Sequence, residues 1–322
     1  MSIKWQALIL IVLILISVTL TKVGSTDRQF LAQNLGVSLG QSNNLSTSTP
    51  PNFSYQRASL IATQGSEIQK APTRNWNVLD PRIKAEAVLI QSLDEQFPFF
   101  HYNTYKNWPL ASLTKLLTAV VVFEDIGINK KILITERAQK TEGEAGGLKS
   151  GEIYTARDLL KIMLLTSSND AAAAFEDYTG SPEEFLKILS RKAEKIGMSQ
   201  TFLYDGSGLS DLNRGTANDL LRLIKYILEH EPEIINWTRL NEFLVQPIND
   251  VNYRTVYNIN PLVKNQNFLG GKTGTSEEAG ENLISIFSLE NYRVVMILLG
   301  SPDRVKESEF LLNWVKEAYT LP

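Results

Sequence analysis

Apolar residues at Leu113, Leu116, Leu117, Val120 and Phe123 recur at helical spacing, so a buried helix is predicted to begin just after Pro109. Upstream, residues 85–92 and 97–102 flank the polar Asp94-Glu95-Gln96 and read as strand, turn, strand, with Pro98 placing the second at a sheet edge. Two longer apolar runs, 282–287 and 292–299, enclose Leu289-Glu290-Asn291 and read as a hairpin of central strands. Helical patterns fill most of 130–217. Three of these helices open on a hydroxyl three residues before an acid: Thr155 with Asp158, Ser181 with Glu184, and Thr216 with Asp219, read as structural caps. Residues 221–245 read as helix and then irregular chain. A last helix begins at Ser301-Pro302 and carries Val305, Phe310, Leu311, Trp314, Val315 and Ala318 as a stripe for the sheet.

The N-terminal part differs in kind. Residues 5–21 are almost wholly apolar behind Lys4, the length of a signal-peptide core or a short membrane span, so residues 1–24 are expected to be an export signal, retained as an anchor because no clean cleavage site follows. Residues 25–80, rich in Ser, Asn, Thr, Gln and Pro, bury too little apolar surface to offset their ordering entropy and are expected to be a flexible polar linker. Residues 81–322 remain as the folded part, and no internal repeat is found in the chain. With 43% hydrophobic residues there is ample material for a core.

Composition then narrows the chemistry. A net charge of −3 argues against a nucleic-acid partner. The absence of cysteine rules out disulfides, thiolate metal sites and a cysteine nucleophile. The two histidines, His101 and His230, stand apart from any cluster of acids, so neither a histidine triad nor a metal site is well supplied, and no metal or cofactor is expected. Acid–base work must fall to lysine and serine. Ser112 and Lys115 are three apart on the predicted helix, which puts them on one face with Cβ atoms roughly 5 to 6 Å apart. Burial and the positive end of the helix dipole both favour the free amine, so Lys115 can take the Ser112 proton. The alternative is that Ser112 caps a helix and Lys115 reaches solvent; so short a motif does not decide between them.

Two further motifs follow in order: Ser167-Ser168-Asn169 and Lys272-Thr273-Gly274. With Ser112-Leu113-Thr114-Lys115, and with the stretches around Gly151–Leu160, Asp205-Gly206-Ser207-Gly208-Leu209 and Ala279-Gly280, the chain resembles the serine D-alanyl-D-alanine carboxypeptidases, peptidase family S11, the low-molecular-mass penicillin-binding proteins. The resemblance implies an α/β fold of the penicillin-recognising type: an antiparallel sheet flanked by helices, with an all-helical subdomain inserted over about 131–218. It implies Ser112 as nucleophile and Lys115 as base. Ser167 is then a proton relay to the leaving amine, or simply a helix cap, and Asn169 a hydrogen-bond partner of Lys115 and substrate. Lys272 and Thr273 would grip a terminal carboxylate, with Lys272 also lowering the basicity of Lys115. Gly274 would leave room for substrate beside the strand, and the backbone N–H groups of Ser112 and Thr275 would form an oxyanion hole. The expected partners are peptidoglycan peptides ending in D-Ala-D-Ala, β-lactams as inhibitors, and the membrane through the N-terminal segment. The expected location is the bacterial envelope, outside the cytoplasm. Larger relatives carry a further β-rich C-terminal domain and often a C-terminal anchor, in whose place the N-terminal segment is expected to serve. A β-lactamase is the other enzyme reading, disfavoured because residues 205–214 lack a Glu-x-x-x-Asn loop. A catalytically silent wall-binding protein is the non-enzymatic one.

Overall fold

The computed structural model describes residues 71–322, except Glu144. The expected anchor, and the expected linker up to residue 70, lie outside these residues; residues 71–80, expected as linker, instead join the folded part, where Thr73–Arg74 pairs antiparallel with Tyr319–Thr320 and the Leu79 carbonyl accepts the Trp314 indole N–H at 2.8 Å. Five strands form the central sheet: β1 (Ala87–Ser92), β2 (Pro98–Tyr102), β3 (Phe268–Ser276), β4 (Gly280–Leu289) and β5 (Tyr292–Ser301), in the order β3-β4-β5-β1-β2 and antiparallel throughout. The β4–β5 hairpin turns at Glu290 and Asn291, two of the three residues anticipated, and Pro98 lies on an edge strand, where a missing backbone donor breaks no ladder.

The apolar runs are continuous because the sheet is covered on both faces. In β5, Val295, Ile297 and Leu299 enter a helical core, while Val294, Met296 and Leu298 pack with Leu311, Trp314 and Val315 of the C-terminal helix, Arg304–Ala318. β1 divides in the same way, with Ala87 and Leu89 on one face and Val88 and Ile90 on the other.

Between β2 and β3 the chain runs through six main helices: α1 (Thr114–Val121), α2 (Ala156–Thr166), α3 (Asn169–Tyr178), α4 (Pro182–Ile196), α5 (Ala217–His230) and α6 (Glu233–Thr238). All eight residues of α1 are buried, since it contacts α2, α4, α5 and α6. The caps act as read: Thr155, Ser181 and Thr216 accept the backbone N–H of Asp158, Glu184 and Asp219 at 3.0, 3.3 and 3.1 Å. Beyond α6 the chain is less irregular than expected. Strands Glu242–Val245 and Arg254–Tyr257 form a second hairpin, each too short for its alternation to stand out in the sequence.

One buried side chain ties the sheet to the chain entering α1. Asn282 on β4 donates to the carbonyls of Pro109 and Leu110 at 2.8 and 3.2 Å and accepts the Gly300 N–H at 2.9 Å. Each of these groups is costly to leave unmade in the interior. Asn282→Ala is expected to destabilise the protein by about 2–4 kcal/mol, read as a lowered urea midpoint at unchanged slope; an unchanged midpoint would show that the contact does not bear on folding.

Candidate active site

Ser112 does not lie on α1 as predicted. It occupies a 3-10 turn, Ala111–Leu113, that leads into the helix, following Ala111 at φ 47°. The spacing still serves, because residues three apart eclipse one another in a 3-10 turn. Ser112 Oγ lies 2.9 Å from Lys115 Nζ.

Lys115 is fully buried, and the solvent-reaching alternative is excluded. Its Nζ also donates to Asn169 Oδ1 and to the Ser207 carbonyl, both at 2.6 Å. These two oxygens can only accept, whereas the Ser112 hydroxyl can donate. A neutral amine, with two N–H groups and one lone pair, therefore satisfies all three contacts when Ser112 points its proton at Nζ. Burial brings the Lys115 pKa down to about 7, against the pull of the Asp205 and Glu176 carboxylates, which favour the ammonium.

Two helix ends bring the second motif to this point. α2 stops at Ser167, held in the left-handed region at φ 61° and ψ 30°, and Ser168 then caps α3 by accepting the Ala171 N–H at 3.1 Å. Ser168, not Ser167, is the cap of this helix. That frees the Ser167 hydroxyl to face the cleft, and the strained backbone at both Ala111 and Ser167 falls beside the reacting groups. The Asn169 amide is fixed in orientation because its Nδ2 donates to the Glu142 carbonyl at 2.8 Å.

The third motif faces them from edge strand β3. Lys272, only 2% exposed, donates to Ser167 Oγ and to its neighbour's carbonyl, Thr273 O, both at 2.9 Å. Burial, then the nearby Lys115 and Arg304, hold the Lys272 pKa well below the usual amine range. Of the repulsion anticipated between the two lysines, the effect of Lys115 on Lys272 is seen, second to burial; at Lys115 the lowering comes from burial. Gly274 lines the cleft and has a second use that was not expected. A Cβ there would lie 2.9 Å from the Leu110 carbonyl and 3.2 Å from the Ser112 nitrogen, so its bareness admits the turn that carries Ser112. Thr273 and Thr275 line the same cleft of about 550 Å³ as Ser112 and Ser167.

Several contributors had no signal of their own in the sequence. Ser207 acts through its backbone carbonyl. Its loop is wound around Asp205, which accepts the N–H groups of Ser207, Gly208 and Ser210 at 2.7, 2.5 and 2.7 Å. Glu176 accepts the Gly206 N–H at 3.0 Å and, at 3.1 Å, an N–H of Arg137. Arg304 donates to Gly274 O at 2.7 Å and to Thr275 Oγ1 at 2.6 Å, placing a guanidinium at the cleft wall. Spacing identified the 205–209 stretch only as a likeness; the contacts give it a task.

A serine and a buried lysine one turn apart, closed over by a Ser-x-Asn corner and a Lys-Thr-Gly edge strand, define a serine enzyme of the penicillin-recognising fold. Residues 76–303 match the Peptidase_S11 family, D-alanyl-D-alanine carboxypeptidase, and the chain belongs to that family. It is 34% identical over 209 residues to a D-alanyl-D-alanine endopeptidase of Haemophilus influenzae, covering 63% of this chain and 70% of that one. It is 28% identical over 281 residues to D-alanyl-D-alanine carboxypeptidase DacC of Escherichia coli, covering 81% and 66%. The chain thus spans about two thirds of these relatives' length. Among solved structures, a D-alanyl-D-alanine carboxypeptidase from Mycobacterium tuberculosis superposes with a TM-score of 0.69 at 23% identity, covering 76% of this chain and 96% of that one. Penicillin-binding protein D2 from Listeria monocytogenes, in its cefotaxime-bound form, gives 0.65 at 25%, covering 74% and 99%.

Gly208 offers a direct test of how the site is packed. At φ +83°, a Cβ there would stand 1.9 Å from the Ala111 carbonyl oxygen, so something must move. Gly208→Ala is expected to slow acylation by a penicillin by about 100-fold through displacement of the Ser112 turn. An unchanged rate in a folded variant would separate that contact from the chemistry.

Proposed function

We propose that this chain is an exported serine DD-peptidase that acts on peptidoglycan stem peptides ending in D-Ala-D-Ala through an acyl-enzyme on Ser112. The observation that carries the reading is the Lys115 amine set 2.9 Å from the Ser112 hydroxyl, with two carbonyl oxygens taking its N–H groups. Ser112 Oγ attacks the carbonyl of the penultimate D-alanine as its proton passes to Lys115. The N–H groups of Ser112 and Thr275 receive the oxyanion. As the C–N bond breaks, the proton taken up by Lys115 passes by way of Ser167, whose hydroxyl is held by Lys272, to the leaving amine, which leaves Lys115 neutral. Water then attacks the ester with Lys115 again as base, releasing the shortened peptide and restoring Ser112.

Lys272, the Thr273 hydroxyl and the nearby Arg304 suit a terminal carboxylate, which selects substrates with a free C-terminus. A β-lactam presents an amide carbonyl and a carboxylate in the same relation and acylates the same serine. A β-lactamase reading lacks support at residues 205–214, because Asp205 there is occupied by its own loop's N–H groups. In this reading residues 81–322 are the catalytic domain, with its helical insertion at about 131–218. Residues 25–70 form a tether, and residues 1–24 hold the enzyme to the outer face of the membrane.

Two outcomes test this. Ser112→Ala is expected to abolish both covalent labelling by a fluorescent penicillin and release of D-alanine from diacetyl-Lys-D-Ala-D-Ala; labelling that survives the change assigns the nucleophile elsewhere. The acylation rate of the wild type is expected to rise with pH and level off above about 7, because only the neutral amine accepts the proton. The Glu176 carboxylate favours the ammonium of Lys115, so Glu176→Gln is expected to move that midpoint to lower pH. A midpoint that stays in place, or climbs, in stopped-flow acylation would contradict the assignment of the base.

A further inference from the structure

The polar network behind Lys115 continues to the protein surface. Glu176 on α3, one of the two carboxylates that favour the Lys115 ammonium, is buried, with 8% of its side chain exposed, and it is paired with Arg137, whose side chain is 44% exposed. Arg137 belongs to the short helix Glu136–Gln139, which Thr135 caps by accepting the Ala138 N–H at 3.0 Å. The Thr135 hydroxyl and Arg137 Nε both donate to the Asp177 carboxylate. Arg137 Nη2 donates to the Ala173 carbonyl at 2.7 Å and to Glu176 Oε2 at 3.1 Å. A planar fork engaged by three acceptors holds its charge in one place.

The other oxygen of Glu176 faces the reaction. Oε1 accepts the Gly206 N–H at 3.0 Å, and the carbonyl of the next residue, Ser207, takes an N–H of Lys115 at 2.6 Å. The remaining elements packed against α3 bring mainly apolar groups. α4 supplies Phe185, whose ring a Cβ at Gly206 would meet at 2.7 Å; strand Lys131–Leu133 turns only Ile132 inward; and the buried residues of α2 are all apolar. Burial pushes the Glu176 pKa up, the Gly206 N–H and Arg137 oppose that rise, and Asp205 adds to it. A carboxylate so placed keeps its charge only through its partners.

We propose that Arg137 is a positioning residue for acylation at Ser112: it holds Glu176 ionised against Gly206, and through Glu176 it keeps Lys115 basic enough to carry the Ser112 proton. The proposal rests on the DD-peptidase reading above. Without the guanidinium, Glu176 takes up a proton, the Lys115 ammonium loses an attraction, and Lys115 becomes neutral at lower pH. A direct action of Arg137 on Lys115 has the opposite sign, because removing one cation makes a second easier to charge.

The test is the pH profile of stopped-flow acylation by a penicillin in wild type, Arg137→Gln, Arg137→Lys, Glu176→Gln and the double variant Arg137→Gln/Glu176→Gln. Arg137→Gln is expected to lower the midpoint by about 0.5 pH unit or more, toward that of Glu176→Gln, while Arg137→Lys stays near wild type. The double variant is expected to match Glu176→Gln, because both changes act through one carboxylate. The alkaline plateau of Arg137→Gln is expected to lie within about threefold of wild type, which also reports an intact fold. As a readout independent of rate, the infrared carbonyl band of a protonated carboxyl is expected near neutral pH in Arg137→Gln and to be lost in the double variant. The proposal is overturned if the midpoint of Arg137→Gln stays or rises, if Arg137→Gln lowers it as far in the Glu176→Gln background, or if the rate falls equally at every pH, the mark of a structural role alone. A wild-type rate that does not rise with pH, or a Ser112→Ala variant that still takes up penicillin, overturns the DD-peptidase reading together with this one; a normal wild-type profile with an unmoved Arg137→Gln overturns only the role of Arg137.

Discussion

The structure is arranged around one uncharged amine in a place that water does not reach. An ammonium sealed from solvent loses its hydration, and in a protein interior the usual outcome is that the group gives up its proton instead. At Lys115 this tendency is trimmed by two carboxylates behind it, Asp205 and Glu176, so that the amine stays titratable near neutrality. Neither acid touches Nζ in a direct ion pair; Asp205 is spent on its own loop and Glu176 on Gly206 and Arg137. Their distance from Nζ is the point. A carboxylate in contact would keep the lysine charged and useless as a base, whereas no carboxylate at all would leave it too weak to hold a proton once taken.

Holding that amine against a hydroxyl requires three separately folded segments to meet with little slack. The Ser112 turn is pinched between Gly208 on one side and Gly274 on the other, both of them positions where a methyl group would collide with backbone. Backbone-to-backbone contact of this kind cannot be relieved by a side-chain rotation, so it fixes Ser112 more firmly than packing of flexible groups would. Asn282 ties the preceding carbonyls to the sheet. The sheet is itself rigid because β1, β4 and β5 are buried on both faces. Pre-set geometry is worth a large part of a catalytic barrier, and here it is supplied by chain segments remote in sequence.

That remoteness explains what the sequence disclosed and what it withheld. Central strands were legible from unbroken apolar runs, and helix starts from Thr155, Ser181 and Thr216, because each depends on neighbours a few residues away. Ser112 and Lys115 were legible as a pair for the same reason, although the turn beneath Ser112 is 3-10 and not α, a difference set by its packing between two glycines. The Ser207 carbonyl was not legible at all, since a backbone oxygen leaves no mark on residue identity. Gly274 was legible as a cleft residue, but the space it leaves for the Ser112 turn behind it was not.

In the proposed mechanism the two lysines also constrain one another, and this gives the substrate a part in arming the base. Lys272 is as buried as Lys115 and feels its charge, so the empty site disfavours two ammonium groups at once. A carboxylate arriving at Lys272 and Thr273 reverses the balance at that end, since an opposite charge within a few ångströms stabilises the ammonium. A charged Lys272 then repels a proton on Lys115, and the amine is driven toward the form that accepts one from Ser112. Ser167, hydrogen-bonded to Lys272 and lining the same cleft as Ser112, sits where this exchange of charge can reach the leaving amine. Binding and base strength are thereby linked through electrostatics alone, and a ligand without the carboxylate loses part of its reactivity along with part of its affinity.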